Sequence, residues 1–184
     1  MSTEASRGLV GDPYLTAEAL ARRVAELGAE ITRDHRGTDL LLVSVLKGAL
    51  FFMADLARAI DLPLEMDFMA ITSYEIDKRA RQGGGHAAIR FLKDLDKPIQ
   101  SRNVLIVEDI IDTGLTLHYI MRSLSLREPL SLEVCTLFDR PYRRLADIPV
   151  KYVGFTVPDD FFVGYGFDYR QLHRNLPYVA HLNI

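Results

Sequence analysis

Residues 104–117 read Val104-Leu105-Ile106-Val107-Glu108-Asp109-Ile110-Ile111-Asp112-Thr113-Gly114-Leu115-Thr116-Leu117. An apolar, mostly β-branched run stops at two adjacent carboxylates, Glu108 and Asp109. A turn follows at Asp112-Thr113-Gly114. From Thr116 an apolar pattern at helical spacing begins, with Leu117, Ile120, Met121 and Leu124 on one face. Strand, acidic pair, short loop and helix start is the order found in an open α/β sheet, where ligands bind beyond the carboxyl ends of the strands. The free N–H groups of a helix start favour an anion, usually a phosphate. One short stretch thus presents a phosphate cradle with negative charge beside it.

Residue chemistry suggests how the two can coexist. The backbone N–H groups of Asp112 to Thr116 and the hydroxyls of Thr113 and Thr116 suit a phosphate monoester, and Gly114 permits the tight turn. Glu108 and Asp109 would repel that group on contact. They can instead accept hydrogen bonds from sugar hydroxyls, as the acidic residue of dinucleotide folds does, or help to hold Mg²⁺ through water. A phosphate beside a diol describes a ribose 5-phosphate; the plainer alternative is a solvated acidic turn behind a core strand. Neither G-x-x-x-x-G-K-[ST] nor G-x-G-x-x-G after a strand occurs, so a P-loop is not expected.

Outward from this stretch, strands and helices alternate. Thr16 opens a helix whose face is Leu20, Val24, Leu27 and Ile31. Leu40 to Leu46 is a continuous apolar run, as in a strand buried on both faces. Lys47-Gly48 ends it, and Leu50, Met53, Ala57 and Ile60 suggest the next helix face. Strands are expected over Leu64–Ser73, His86–Leu92, Val104–Asp109, Leu132–Phe138 and Lys151–Val157. Residues 74–87, charged and carrying Gly83-Gly84-Gly85, read as a long mobile loop, and loops of that length inside a domain are often functional. The aromatic tail from Asp160 adds a small hood, in which Tyr165, Phe167 and Tyr178 read as packing. The expected fold is one α/β domain over residues 1–184, a mostly parallel sheet flanked by helices, with the hood built from the chain ends.

Composition narrows the class. The 184 residues are 48% hydrophobic and 26% charged, a globular balance, and the net charge of −3 argues against a general nucleic-acid binder. The single cysteine, Cys135, lies in an apolar run and reads as buried packing. Residues 1–11 are polar and read as a flexible terminus. No apolar segment is of membrane-spanning length. A cytoplasmic protein is expected. The five histidines show no metal-ligand spacing. Arg143-Arg144 reads as a solvated pair.

Residues 104–117 resemble the phosphoribosyl-pyrophosphate motif of the type I phosphoribosyltransferases. The likeness extends in order through Leu46-Lys47-Gly48, Ser73-Tyr74, Phe91-Leu92-Lys93-Asp94-Leu95, Leu124-Ser125-Leu126-Arg127-Glu128-Pro129 and the segment Pro158 to Tyr169. It covers the chain from about Val10 onward. The tail with Phe161 and Asp168 is similar to the 6-oxopurine branch, the hypoxanthine (hypoxanthine-guanine) phosphoribosyltransferases.

That resemblance implies a reaction joining hypoxanthine or guanine to the ribose 5-phosphate of phosphoribosyl pyrophosphate. IMP or GMP and pyrophosphate are released, and Mg²⁺ is required. It assigns the ribose hydroxyls to Glu108 and Asp109. The 5-phosphate falls to Asp112, Thr113, Gly114, Leu115 and Thr116, and pyrophosphate to Lys47, Gly48 and Arg174, with a cis peptide at Leu46–Lys47. Mg²⁺ falls to Glu108, Asp109 and Asp168, partly through water. Phe161 would stack on the purine and Phe162 would read its edge through the backbone, with Arg140 and Asp168 beside it. Asp112 would take the proton of purine N7 as N9 attacks C1. The developing sugar cation is of the oxocarbenium type, and a lid over residues 74–87, opening with Ser73 and Tyr74, would keep water from it. The family commonly forms homodimers or homotetramers.

One departure matters. Arg140 stands where the family usually has a lysine donating to the purine 6-oxo group, and a planar guanidinium is not equivalent at a shaped site. Leu115 in the phosphate loop and Ala49 after Gly48 are smaller departures. Two alternatives remain at this level: a xanthine- or guanine-preferring relative, and a phosphoribosyltransferase-fold regulator that senses nucleotides and binds RNA or DNA.

Overall fold

A strand that is apolar at every position but one, Ser44, needs cover on both faces. In the computed structural model, which describes residues 10–74 and 88–183 and only the backbone of Ser73, Tyr74, Ala88 and Ile89, the run at 40–45 has it. The elements in chain order are β1 (Val10–Leu15), α1 (Ala17–Asp34), β2 (Leu40–Val45), α2 (Leu50–Ala59), β3 (Leu64–Tyr74), β4 (Ala88–Lys93), β5 (Asn103–Ile111), α3 (Leu115–Ser125), β6 (Ser131–Asp139), β7 (Tyr152–Thr156), β8 (Phe162–Val163) and β9 (Val179–Leu182). Six strands form one sheet in the order β4-β3-β2-β5-β6-β7, parallel throughout except for the antiparallel pair β3/β4.

Alternation along the strands sorts the side chains between two layers. Leu40, Leu42, Leu105 and Val107 pack with Leu20, Val24, Leu27 and Ile31 of α1 and with Phe52, Met53 and Leu56 of α2. Their neighbours Leu41, Val43, Val104 and Ile106 pack on the other side with Leu117, Ile120 and Leu124 of α3. Because β2, β5, β6 and β7 are parallel, their carboxyl ends and the loops that follow gather at one edge, where ligands bind in such sheets.

Local signals explain most of the elements. The Thr16 hydroxyl accepts from the Ala19 N–H at 3.2 Å and caps α1, with Glu18 in the first turn and Arg33 in the last. The α2 face differs from expectation. Phe52, Met53 and Leu56 are buried, whereas Leu50 is 41% exposed. Leu50, Phe51, Phe52 and Met53 are all apolar, so the pattern carries no phase; the angle at which α2 meets the sheet chooses the face.

The hood is a separate antiparallel sheet, β1-β9-β8. The first and last described segments of the chain pair there, Val10 opposite Leu182. Residues 1–9 of the expected flexible terminus lie outside the described residues, while Val10 and Gly11 begin β1. Tyr165 and Phe167 are buried, as is Cys135, whose thiol burial pushes well above its ordinary range. The expected lid lies outside the described residues from 75 to 87, and its flanks Tyr74 and Ala88 are paired across β3 and β4.

Candidate active site

β5 does not stop at the acidic pair. Ile110 and Ile111 continue the ladder opposite Phe138 and Asp139 of β6, so the strand ends only at Ile111. Glu108 and Asp109 therefore lie within the strand rather than at its end, which fixes their backbone positions. Glu108 is buried; burial, with the charge of Asp109 beside it, pushes its carboxyl well above the usual range. Burial also raises Asp109. The Ile110 N–H, which donates to its Oδ1 at 2.8 Å, and the charge of Arg174 oppose that rise. Such a pair gains from hydrogen-bond donors or a cation brought to it.

Gly114 precedes α3 with φ +78° and supplies no capping side chain. The first-turn N–H groups of a helix have no intrahelical partner, and here they open onto a cleft of about 240 Å³. Glu108, Asp109, Asp112, Thr113, Gly114 and Thr116 line it together with Val45. Leu115 is not among its walls and is 54% exposed, and its N–H is directed at Thr113 Oγ1, 3.5 Å away.

A second wall comes from the loop after β2 and from the tail. The Leu46–Lys47 peptide is cis, as the resemblance implies. A methyl group on Gly48 would meet the Asp109 carboxylate, and one on Gly166 would meet the Gly48 carbonyl. Lys47 Nζ donates to Gln171 Oε1 at 3.2 Å. Arg174 pairs with Asp168 at 2.5 Å and donates to the Gly166 carbonyl at 2.7 Å. Asp168 also accepts from the Gln171 N–H at 2.7 Å. Lys47, Asp168 and Arg174 are thus brought together around Gln171, which sequence reading passed over, and Gly48 joins them through Gly166, whose carbonyl accepts from Arg174. One polar residue among several in Arg170-Gln171-Leu172-His173-Arg174-Asn175 carries no local signal of that role.

The third wall follows β6. Arg140 is buried, its guanidinium held by the Asp160 carbonyl and 5.7 Å above the Phe162 ring. Phe161 is 67% exposed, whereas Phe162 is buried among Tyr14, Phe138 and His181. Only the backbone of Phe162 is free to read a ligand. Arg143 and Arg144 are not a solvated pair: Arg143 Nε lies 2.8 Å from Asp112 Oδ1, and Arg144 pairs with Asp139. Three arginines crowded behind one acid in Asp139-Arg140-Pro141-Tyr142-Arg143-Arg144 were the available signal. Glu108, Asp109 and Asp168 do not form a ready-made cage: among the described residues, no group of three or more His, Cys, Asp or Glu could hold a metal ion.

Comparison with known proteins gives consistent results. The phosphoribosyl transferase domain family matches residues 11–170. A hypoxanthine-guanine phosphoribosyltransferase from Mycobacterium avium is 50% identical over 182 residues, covering 96% of this chain and 87% of that protein. A hypoxanthine phosphoribosyltransferase from Salmonella typhimurium is 49% identical over 163 residues, covering 86% and 87%. A crystal structure of a hypoxanthine phosphoribosyltransferase from Staphylococcus aureus superimposes with a TM-score of 0.88 at 43% identity, covering 99% of this chain and 96% of that one.

Proposed function

From the premise that this chain belongs to the phosphoribosyl transferase family, we propose that it is a purine-salvage enzyme. It transfers the 5-phosphoribosyl group of phosphoribosyl pyrophosphate to hypoxanthine or guanine, giving IMP or GMP and pyrophosphate. The observation that carries this reading is the cleft in which the acids of β5, buried Glu108 and half-buried Asp109, face the amino end of α3, in a chain half identical to a hypoxanthine-guanine enzyme.

The residues divide the substrate between them. The N–H groups and hydroxyls of Asp112 to Thr116 hold the 5-phosphate. Glu108 and Asp109 accept from the ribose hydroxyls. Lys47, the Gly48 backbone and Arg174 face the diphosphate. Phe161 offers its exposed ring to the purine, with Arg140, Asp168 and the Phe162 backbone beside it. As N9 bonds to C1, the C1–O bond to pyrophosphate breaks and the N7 proton passes to an oxygen of Asp112.

Mg²⁺ is part of the same proposal. The protein's donors are hard oxygens but few, which suits an ion that keeps waters and takes its other ligands from substrate phosphates. Glu108, Asp109 and Asp168 would hold it, partly through water, and it would neutralise the departing pyrophosphate. Assembly as a homodimer or homotetramer and a cytoplasmic location complete the proposal. No helix among the described residues is long and apolar enough to cross a membrane.

Arg140 favours one second reading, a xanthine- or guanine-preferring enzyme. A steady-state assay with hypoxanthine, guanine, xanthine and adenine, with and without Mg²⁺, separates the two. Metal-dependent turnover highest on hypoxanthine is expected. A larger kcat/KM for xanthine selects the second reading. Silence on every base, with salt-sensitive RNA binding, rejects both in favour of a nucleotide-sensing regulator.

A further inference from the structure

Asp112, the proposed proton acceptor, does not stand alone. Its Oδ1 is shut off from solvent, accepts no hydrogen bond among the described residues, and lies 2.8 Å from Arg143 Nε in a purely ionic contact. The carboxylate still lines the cleft, and its side chain is 37% exposed. The exposure therefore falls on the other oxygen, Oδ2, which is left open to a base. Arg143 is itself held: its Nη1 lies 2.5 Å from Asp159 Oδ1. The same Asp159 oxygen lies 3.5 Å from Arg140 Nη1. A continuous chain of opposite charges thus runs Asp112–Arg143–Asp159–Arg140, from the proton acceptor to the residue beside the purine ring.

A general base works best when a third group fixes its orientation. We propose that Arg143 is a positioning residue for Asp112: it occupies Oδ1, turns Oδ2 toward purine N7, and through Asp159 ties that orientation to Arg140. The inference rests on the reading of Asp112 as proton acceptor. Arg143 sits on the short 3₁₀ turn Pro141–Arg143, whose geometry is fixed by Arg143 N–H donating to the Arg140 carbonyl at 3.1 Å. The turn delivers both arginines at once, one to the base and one to the acceptor.

The bland alternative is a surface ion pair. Arg143 and Asp159 side chains are 40% and 56% exposed, and exposed pairs add little to stability. Loss of Arg143 should therefore leave the fold alone and appear in turnover. That difference makes the two readings separable.

The test is steady-state kinetics on the purified enzyme with R143A, R143K, D112N and the double variant D112N/R143A, together with a thermal melt of each. R143A is expected to lower kcat by about 10–100-fold, the scale of a misoriented catalytic group, with KM for phosphoribosyl pyrophosphate within about twofold. R143K should recover part of the loss, and Tm should stay within about 2 °C. In the D112N background, removing Arg143 should cost less than about twofold, because there is no acceptor left to orient. Unchanged kcat in R143A, or the full R143A loss repeated on top of D112N, overturns the positioning role. Normal turnover in D112N itself would instead overturn the reading of Asp112. The two failures are thus told apart by the D112N enzyme alone.

Discussion

A methyl group on Gly48 would stand 1.7 Å from Asp109 Oδ2. The loop after β2 and the acids of β5 are therefore in direct contact, and only a residue without a side chain lets them meet. The tail closes on the same point, since a methyl on Gly166 would stand 2.0 Å from the Gly48 carbonyl oxygen.

Gly48→Ala should separate activity from stability. The atoms in its way, Asp109 Oδ2 and Cγ, belong to a short side chain, which can turn aside at little cost to folding. Turning aside displaces half of the acidic pair. A loss of about 100-fold in kcat/KM is expected, the usual consequence of a small misplacement near the chemistry, with Tm close to that of the native chain. Kinetics and a thermal melt on the same preparation check both halves.

Gly166→Ala should do the reverse. Gly166 has φ +106° and faces backbone, which cannot turn aside. A side chain there is strained by conformation and by contact, for a cost of at least about 2 kcal/mol. For a chain of this size that is a fall of about 4–8 °C in Tm, measurable by calorimetry.

Asp112→Asn should spare binding and lose turnover. An amide keeps the shape but cannot take a proton, and general-base contributions run about 10²–10⁴-fold. Hypoxanthine affinity, measured by calorimetry, is expected to change by only a few fold. Near-normal kcat would remove Asp112 as the acceptor.

Phe161 and Phe162 are neighbours with opposite surroundings, and their alanine variants should fail differently. Phe161→Ala should raise KM for the purine about 5–100-fold, the worth of one base–aromatic stack, and leave KM for phosphoribosyl pyrophosphate alone. Phe162→Ala should cost about 3–5 kcal/mol of stability instead, because its ring fills the hood between Tyr14 and Phe138. Urea melts and kinetics on the pair decide.

Asp67 offers a pH signature away from the site. It is buried at 8% exposure, which by itself raises its pKa. The Asp96 and Phe68 N–H groups, each at 2.7 Å, and Lys93 at 3.1 Å outweigh that and hold its carboxyl below the usual value of 3.8. A depressed carboxylate contributes stability that is full above the unfolded value and lost as pH falls through the folded one. Asp67→Asn should cost about 1–3 kcal/mol at pH 7, and the gap to the native chain should shrink once pH drops below about 4. A gap that is constant with pH in urea melts would show that the charge of Asp67 is not what matters.

Much of the fold was legible because its signals are local. The stripe Leu20, Val24, Leu27, Ile31 in α1 is the buried face, and Thr16 is its cap. The run in β2, apolar except for Ser44, implied cover on both sides, and it has that cover. Where local signals were degenerate, reading failed. Four consecutive apolar residues at the start of α2 could not say which of them face inward. The acids of β5 looked like a strand end because charge usually marks one, yet β6 keeps pairing past them.

The sequence alone determined the alternation that makes a parallel sheet and the acid–turn–helix order at 108–116, because such features depend on bonding geometry within a few residues. The resemblance carried by its motifs added the chemistry. Only the tertiary structure decided which side chains meet. Lys47 reaches Gln171 across 124 positions of chain, Gly48 yields its side-chain space to Asp109, and Arg143 covers one oxygen of Asp112. Such contacts depend on which sheet edge each strand leaves from and how the hood folds back over it. That is set by the packing of the whole core, and no window of neighbouring residues contains it.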